Sequence, residues 1–173
     1  MAAARYWRLV SFTANARGAL ELTEAHLFDS TGRVDASATL ACTLNPSQGS
    51  VANLRDADTH TSAIWGASSV RQPGFALVWD FGSSPANVLW AVFGAADVPG
   101  WFVSECTLQN SDDGANWITV RRLGGYVYPG PWAMVPVSSG SGIPADLAVW
   151  YDASVASSIS ETAGVVSQWL DVS

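Results

Sequence analysis

The chain has 173 residues, of which 49% are hydrophobic and 13% charged, with a formal net charge of -7. That much apolar sequence can bury a core and excludes a disordered chain. The basic residues are all arginine and form no basic stripe, which excludes the electrostatic footprint of a nucleic-acid binder.

No run approaches the ~18 consecutive apolar residues of a membrane span, so no membrane insertion is expected. The start, Met1-Ala2-Ala3-Ala4-Arg5-Tyr6-Trp7, enters a strand-like pattern directly. It lacks the charged region and apolar run of a secretory signal peptide.

Short apolar segments separated by Gly, Pro, Asn, Asp and Ser predict strands at 5–13, 20–29, 75–81, 88–94, 104–110, 117–123 and 131–137. Phe75-Ala76-Leu77-Val78-Trp79-Asp80-Phe81 and Val88-Leu89-Trp90-Ala91-Val92-Phe93 are nearly continuous in their hydrophobicity, as in central strands covered on both faces. Trp79, Trp90 and Trp117 are therefore expected in the core. Turn chemistry stands between these runs, at Ser30-Thr31-Gly32, Gly82-Ser83-Ser84-Pro85, Val98-Pro99-Gly100 and Asp112-Asp113-Gly114. No helical period is sustained, so the fold is expected to be all-β.

Cys42 and Cys106 form no metal or redox motif and are read as two free buried thiols. His26 and His60 are too few and too scattered for a zinc site. The Ser/Gly/Pro stretch 138–144 reads as a linker. Residues 145–173 turn strand-like again but are too short to close a core, so a truncated second domain is expected there.

Catalysis finds no support. Glu21 and Glu24 lie three apart on one predicted strand and so point to opposite faces, unlike a glycosidase pair. Asp112 and Asp113 sit in a turn. Ser139-Gly140-Ser141 lacks the spacing of a nucleophile elbow.

Landmarks in order then carry a resemblance: Arg5-Tyr6-Trp7-Arg8-Leu9; Glu24-Ala25-His26-Leu27-Phe28-Asp29 before Gly32; Asn53-Leu54-Arg55-Asp56-Ala57-Asp58 leading to Trp65; Leu77-Val78-Trp79-Asp80-Phe81-Gly82; and Leu108 through Trp117 with its Ser-Asp-Asp-Gly turn. Over residues 5–137 this set resembles the discoidin family, also called the coagulation-factor C-type domain. The resemblance implies a discoidin-like antiparallel β-sandwich, a jelly roll of the galactose-binding-like type, spanning 1–137. The tail, with Leu147-Ala148-Val149-Trp150-Tyr151 and Val166-Ser167-Gln168-Trp169, looks like the opening of a laminin-G or concanavalin-like domain. Such a pair without a signal peptide resembles phage or phage-derived tail-fibre and head-fibre proteins, which are made in the cytoplasm and displayed on a virion.

The resemblance implies a structural calcium with Asp56 and Asp58 as side-chain ligands. The family's Gly between these aspartates is Ala57 here, and two extra residues separate Thr61 from Trp65. The other reading of the loop is an Asx turn whose carboxylates cap backbone amides. No other cofactor is expected.

Glycans bind on aromatic faces with sparse polar groups around them. The aromatic residues of predicted loops, Trp101, Phe102, Tyr126, Tyr128 and Trp132, are the ligand candidates, with Arg71 and Arg121 as hydroxyl or carboxylate partners. Two functions stay open. One is a non-catalytic fibre component that binds cell-surface polysaccharide for host attachment. The other is a structural particle component whose loops dock on a neighbouring subunit, with glycan binding further along the chain. In either case other particle subunits are expected partners and the chain is expected to be a homo-oligomer.

Overall fold

In the computed structural model, which describes residues 3–14, 18–125, 127–136, 159–162 and 165–169, the chain divides into two units, Met1–Gly142 and Ile143–Ser173. Antiparallel strands dominate both, and a single turn of α-helix, Ala67–Val70, is the one α-helix among the described residues.

The first unit is organised by β1 (Tyr6–Ala14), whose alternation buries Trp7 and Leu9 and turns Arg8 to the other face. With β2 (Leu20–Leu22), β3 (Ala25–Phe28), β4 (Thr39–Cys42), β5 (Gln48–Gly49), β6 (Ala63–Trp65), β7 (Ala76–Asp80), β8 (Trp90–Gly94), β9 (Val103–Ser111), β10 (Ile118–Gly124) and β11 (Met134–Pro136), it forms three sheets. One has five strands in the order β10-β9-β1-β7-β4, and two have three, β11-β8-β3 and β2-β6-β5.

Register fixes what each sheet buries. Leu9 lies between Leu77 and Leu108, and Trp7 lies opposite Trp79, all of them fully buried. The short sheets supply Leu20, Leu22, Leu27, Trp65 and Phe93. Edge-to-face contacts link Phe12 of β1 to Phe75 and to Phe93 of β8, and Phe75 to Trp65 of β6. Aromatic side chains from all three sheets thus meet in one sandwich-like core. Removing one of its large side chains should cost about 3–5 kcal/mol.

The strand expectations at 5–13, 75–81, 88–94, 104–110, 117–123 and 131–137 each correspond to an observed strand. Predicted strand 20–29 is instead two, broken at Thr23-Glu24, where the chain crosses from one short sheet to the other. Gly94 permits that crossing. Thr23 N–H donates to its carbonyl and Gly94 N–H donates to Glu24 O, and a Cβ at Gly94 would stand 2.1 Å from Thr23 Oγ1.

Of the tryptophans expected in the core, Trp79 is buried but Trp90 and Trp117 are only half-buried. On β8 the inward positions belong to Ala91 and Phe93, so Trp90 turns outward and stacks on Phe28. Trp117 precedes β10, and the Arg8 guanidinium lies 4.0 Å from its ring centroid, on the face opposite the core. Both cysteines are free. Cys106 is buried, as expected, and Cys42 only partly so.

In the second unit, β12 (Ile159–Thr162) pairs antiparallel with β13 (Val165–Trp169), aligning Ile159 with Trp169. The predicted linker 138–144 and Leu147-Ala148-Val149-Trp150-Tyr151 lie outside the described residues.

Candidate functional site

Three loops converge at one end of the first unit. The acidic loop, residues 56–62, leads into β6; residues 95–102 follow β8; residues 127–133 lead into β11. The last two are tied at adjacent carbonyls, because Trp132 N–H donates to Ala95 O at 2.8 Å and Tyr128 OH donates to Ala96 O at 2.7 Å. The first joins them through its histidine. The rings of His60 and Trp132 stack, their centroids 4.9 Å apart and their planes 26° from parallel.

Trp132 also has φ +64, in the left-handed region where a bulky side chain is strained. Its two backbone ties to the segment after β8, its own N–H and that of Ala95 bonded to Ala133 O at 2.9 Å, hold it there. The same constraint sets the ring against His60. His60 keeps 71% of its side chain exposed and Asp58 keeps 57%, with His60 Nδ1 3.4 Å from Asp58 Oδ1.

Within the acidic loop, Asp58 N–H donates to Asp56 Oδ1 (2.9 Å), His60 N–H donates to Asp58 Oδ1 (2.9 Å) and Thr61 Oγ1 donates to Asp56 Oδ2 (2.7 Å). The Thr61 hydroxyl and the Asp58 amide, in that order of weight, hold the Asp56 carboxyl below the usual carboxylate range. These are the Asx-turn bonds of the alternative reading. Ala57 takes φ +62. Among the described residues no three His, Cys, Asp or Glu side chains gather into a group that could hold a metal ion.

The candidates thus separate. Trp132 and Tyr128 belong to the converging loops, and Trp101, half-buried, ends the turn Pro99–Trp101 in the middle one. Phe102 is 1% exposed and packs edge-to-face on Tyr128, so it serves as floor and offers no ring to a ligand. Tyr126 lies outside the described residues. Arg71 borders a shallow groove of about 190 Å³ with Phe12, Ala67 and Val70. Arg121 stands on β10 opposite Leu108. The two arginines are carried by other elements than the aromatic loops.

Beneath the loops lies a buried ionic cluster that the sequence reading did not single out. Asp35 is fully buried and takes Arg33 Nε at 2.8 Å, with Arg55 Nε 3.6 Å and His26 Nδ1 3.7 Å away. Burial pushes its carboxyl up, but the nearby His26 and the hydrogen bond from Arg33 outweigh this and hold it below the usual range. Arg55 clamps the turn Asp35–Ser37 by donating to the carbonyls of Asp35, Ala36 and Ala38. Glu24 is the opposite case. It is 2% exposed, and its oxygens have no aligned hydrogen-bond donor, although Oε2 lies 3.0 Å from His26 Nε2. Burial raises its carboxyl above the usual range, and the nearby His26 offsets this only in part. Glu21, expected to face away from Glu24, is buried as well and accepts from Ser62 Oγ at 2.8 Å. The signal for this cluster was available in the charged residues of two landmarks, Glu24-Ala25-His26 and Arg55-Asp56, but their burial depends on contacts between distant segments.

Compared with protein-family models, curated proteins and solved structures, the chain matches none.

Proposed function

We propose that the chain is a non-catalytic carbohydrate-binding module of discoidin-like, galactose-binding-like type, and that its loop end binds a cell-surface polysaccharide. The observation that carries this reading is the stacked His60–Trp132 pair, with Trp132 held in a strained backbone conformation. Strain at a bulky surface residue persists only where neighbours over-determine it, and such residues cluster at ligand sites. A sugar ring stacks its apolar face on an aromatic ring, and the half-buried Tyr128 and Trp101 widen the surface, with exposed polar groups at its rim. A five-stranded sheet sharing its core with two short sheets supports the discoidin-like reading of the fold. Host attachment on a fibre of a phage-like particle follows from the resemblance, a warrant of fold analogy.

Binding of the full chain to a panel of polysaccharides, by titration calorimetry, tests the reading. Saturable binding that Trp132→Ala removes supports it. Absence of binding to every glycan, or binding that Trp132→Ala leaves intact, sinks it.

One observation favours a second reading. Val127, in the same loop, is 79% exposed, and exposed apolar residues beside Trp and Tyr mark protein contacts. In that reading the face docks on a neighbouring subunit of the particle, and electron microscopy of the assembly would find it covered.

A further inference from the structure

The outer face of the sheet β11-β8-β3 carries aromatic rings that the core does not use. Leu27, Ala91 and Phe93 point inward, so alternation turns Phe28, Trp90 and Val92 outward, each half-buried. Phe28 stands opposite Trp90 in the sheet, and on its other side it bridges to Arg33. Arg33, Phe28 and Trp90 thus form one row across three neighbouring segments. The Phe28 and Trp90 rings lie 10° from parallel with centroids 6.3 Å apart, a flat surface wider than one ring. Arg33 is fixed at the end of the row, because its Nε donates to the buried Asp35 at 2.8 Å while 34% of its side chain stays exposed. β8 joins this row to the loop end. From Trp90 to Ala95, which accepts from Trp132 N–H, the chain covers about 16 Å. Between them Val92 on β8 and Met134 on β11, the latter 39% exposed and two residues after Trp132, keep the strip apolar.

We infer that Arg33, Phe28 and Trp90 form a second sugar subsite, and that the ligand is a linear, uncharged polysaccharide laid along β8 with one part on Trp132 and another on Trp90. The inference rests on the sugar-binding reading above and goes beyond it by naming the shape and charge class of the ligand. A span of about 16 Å exceeds a single sugar ring, so a lone terminal sugar would use one station only. Parallel rings match the apolar face of a pyranose, and a guanidinium already held by Asp35 donates to hydroxyls without first having to be ordered. Charge points to a neutral chain. Within the row Arg33 is paired with Asp35, and Trp90, Val92 and Met134 carry no charge, so neither a uronic acid nor an amino sugar gains an unpaired partner along the strip.

The test is titration of the full chain with cellohexaose, mannohexaose and xylohexaose, with the dimer of each, and with the polysaccharide panel. At least one hexamer is expected to bind about tenfold or more tightly than its dimer, because the second station acts at a high effective concentration once the first is filled. Trp90→Leu keeps apolar bulk on the sheet but no flat ring, and should bring the hexamer down toward its dimer. Trp90→Phe restores a ring and should keep most of the advantage. Dimer binding, unchanged in both variants, shows that they fold. A hexamer bound no better than its dimer, or an advantage that Trp90→Leu leaves intact, overturns the second subsite, returns the row to a protein contact and leaves the loop-end reading standing. Binding confined to charged polysaccharides overturns the neutral class in the same way. Binding of none of these sugars overturns both.

Discussion

His60 lies over Trp132 at a ring separation of 4.9 Å, so the loop before β6 and the loop before β11 form one surface although they are distant in sequence. Its loss is readable in two ways at once. Trp132→Ala should weaken glycan binding roughly tenfold or more, as expected for an aromatic anchor. Trp132→Gly should weaken it equally yet melt no lower than the alanine variant, because glycine adopts the left-handed backbone without strain. A glycine variant clearly less stable than the alanine one would show that the backbone at Trp132 is not strained.

The acidic loop offers a test of what its aspartates do. Asp56 accepts from the Asp58 amide and from the Thr61 hydroxyl, so Asp56→Ala should cost about 0.5–2 kcal/mol, the scale of a lost side-chain cap. Ala57→Gly should stabilise, by up to roughly 1 kcal/mol, since φ +62 suits glycine. Because these carboxylates already hold the loop's own donors, saturating calcium is expected to leave the melting midpoint unchanged. A calcium-dependent rise that Asp56→Ala abolishes would restore the aspartates as ligands.

Glu24 sets a pH dependence of definite sign. Its folded-state value is raised by burial, so between the ordinary carboxylate value of ~4.3 and the folded value the folded chain holds more protons than the unfolded one. Stability contributed by this group is present below that window and is lost as pH rises through it. Glu24→Gln should therefore stabilise the protein at neutral pH and flatten the fall that begins as pH rises above the ordinary carboxylate value, measured by denaturant unfolding. A variant less stable than wild type at pH 7 would mean that His26, 3.0 Å away, more than offsets the cost of burying the charge.

Asp35 behaves in the reverse sense. Its folded value is depressed against the pressure of burial, so its contribution is present above the ordinary value and lost as pH falls through the folded one. Asp35→Asn leaves Arg33 and Arg55 beside an uncharged group and should cost about 3–5 kcal/mol at neutral pH. The variant should also lack the acid-side loss that Asp35 gives the wild type. A cost under 1 kcal/mol would place the cluster in effective contact with water.

Local chemistry was enough to find the long strands. In β1 and β9 the apolar alternation and the flanking turn residues mark the segment within about 2 residues, because side-chain period and turn propensity are properties of adjacent residues. The five aromatic ligand candidates could likewise be picked out by their position among Pro and Gly. Residues β4, β5 and β6 span did not stand out. They are two to four residues long and take their strand identity from partners far away, as Leu40 does from Trp79 and Leu20 and Trp65 do from each other.

What the sequence by itself determined is therefore the all-β character, the long strands and the burial of Trp79. Only the tertiary structure decided which way Trp90 and Trp117 face, that Phe102 is floor, and that His60 meets Trp132. It also decided that Glu24, His26, Asp35 and Arg55 share one buried cluster. The reason is that alternation says only which residues share a strand face, whereas burial, stacking and ion pairing depend on what a second, sequence-distant segment brings against that face.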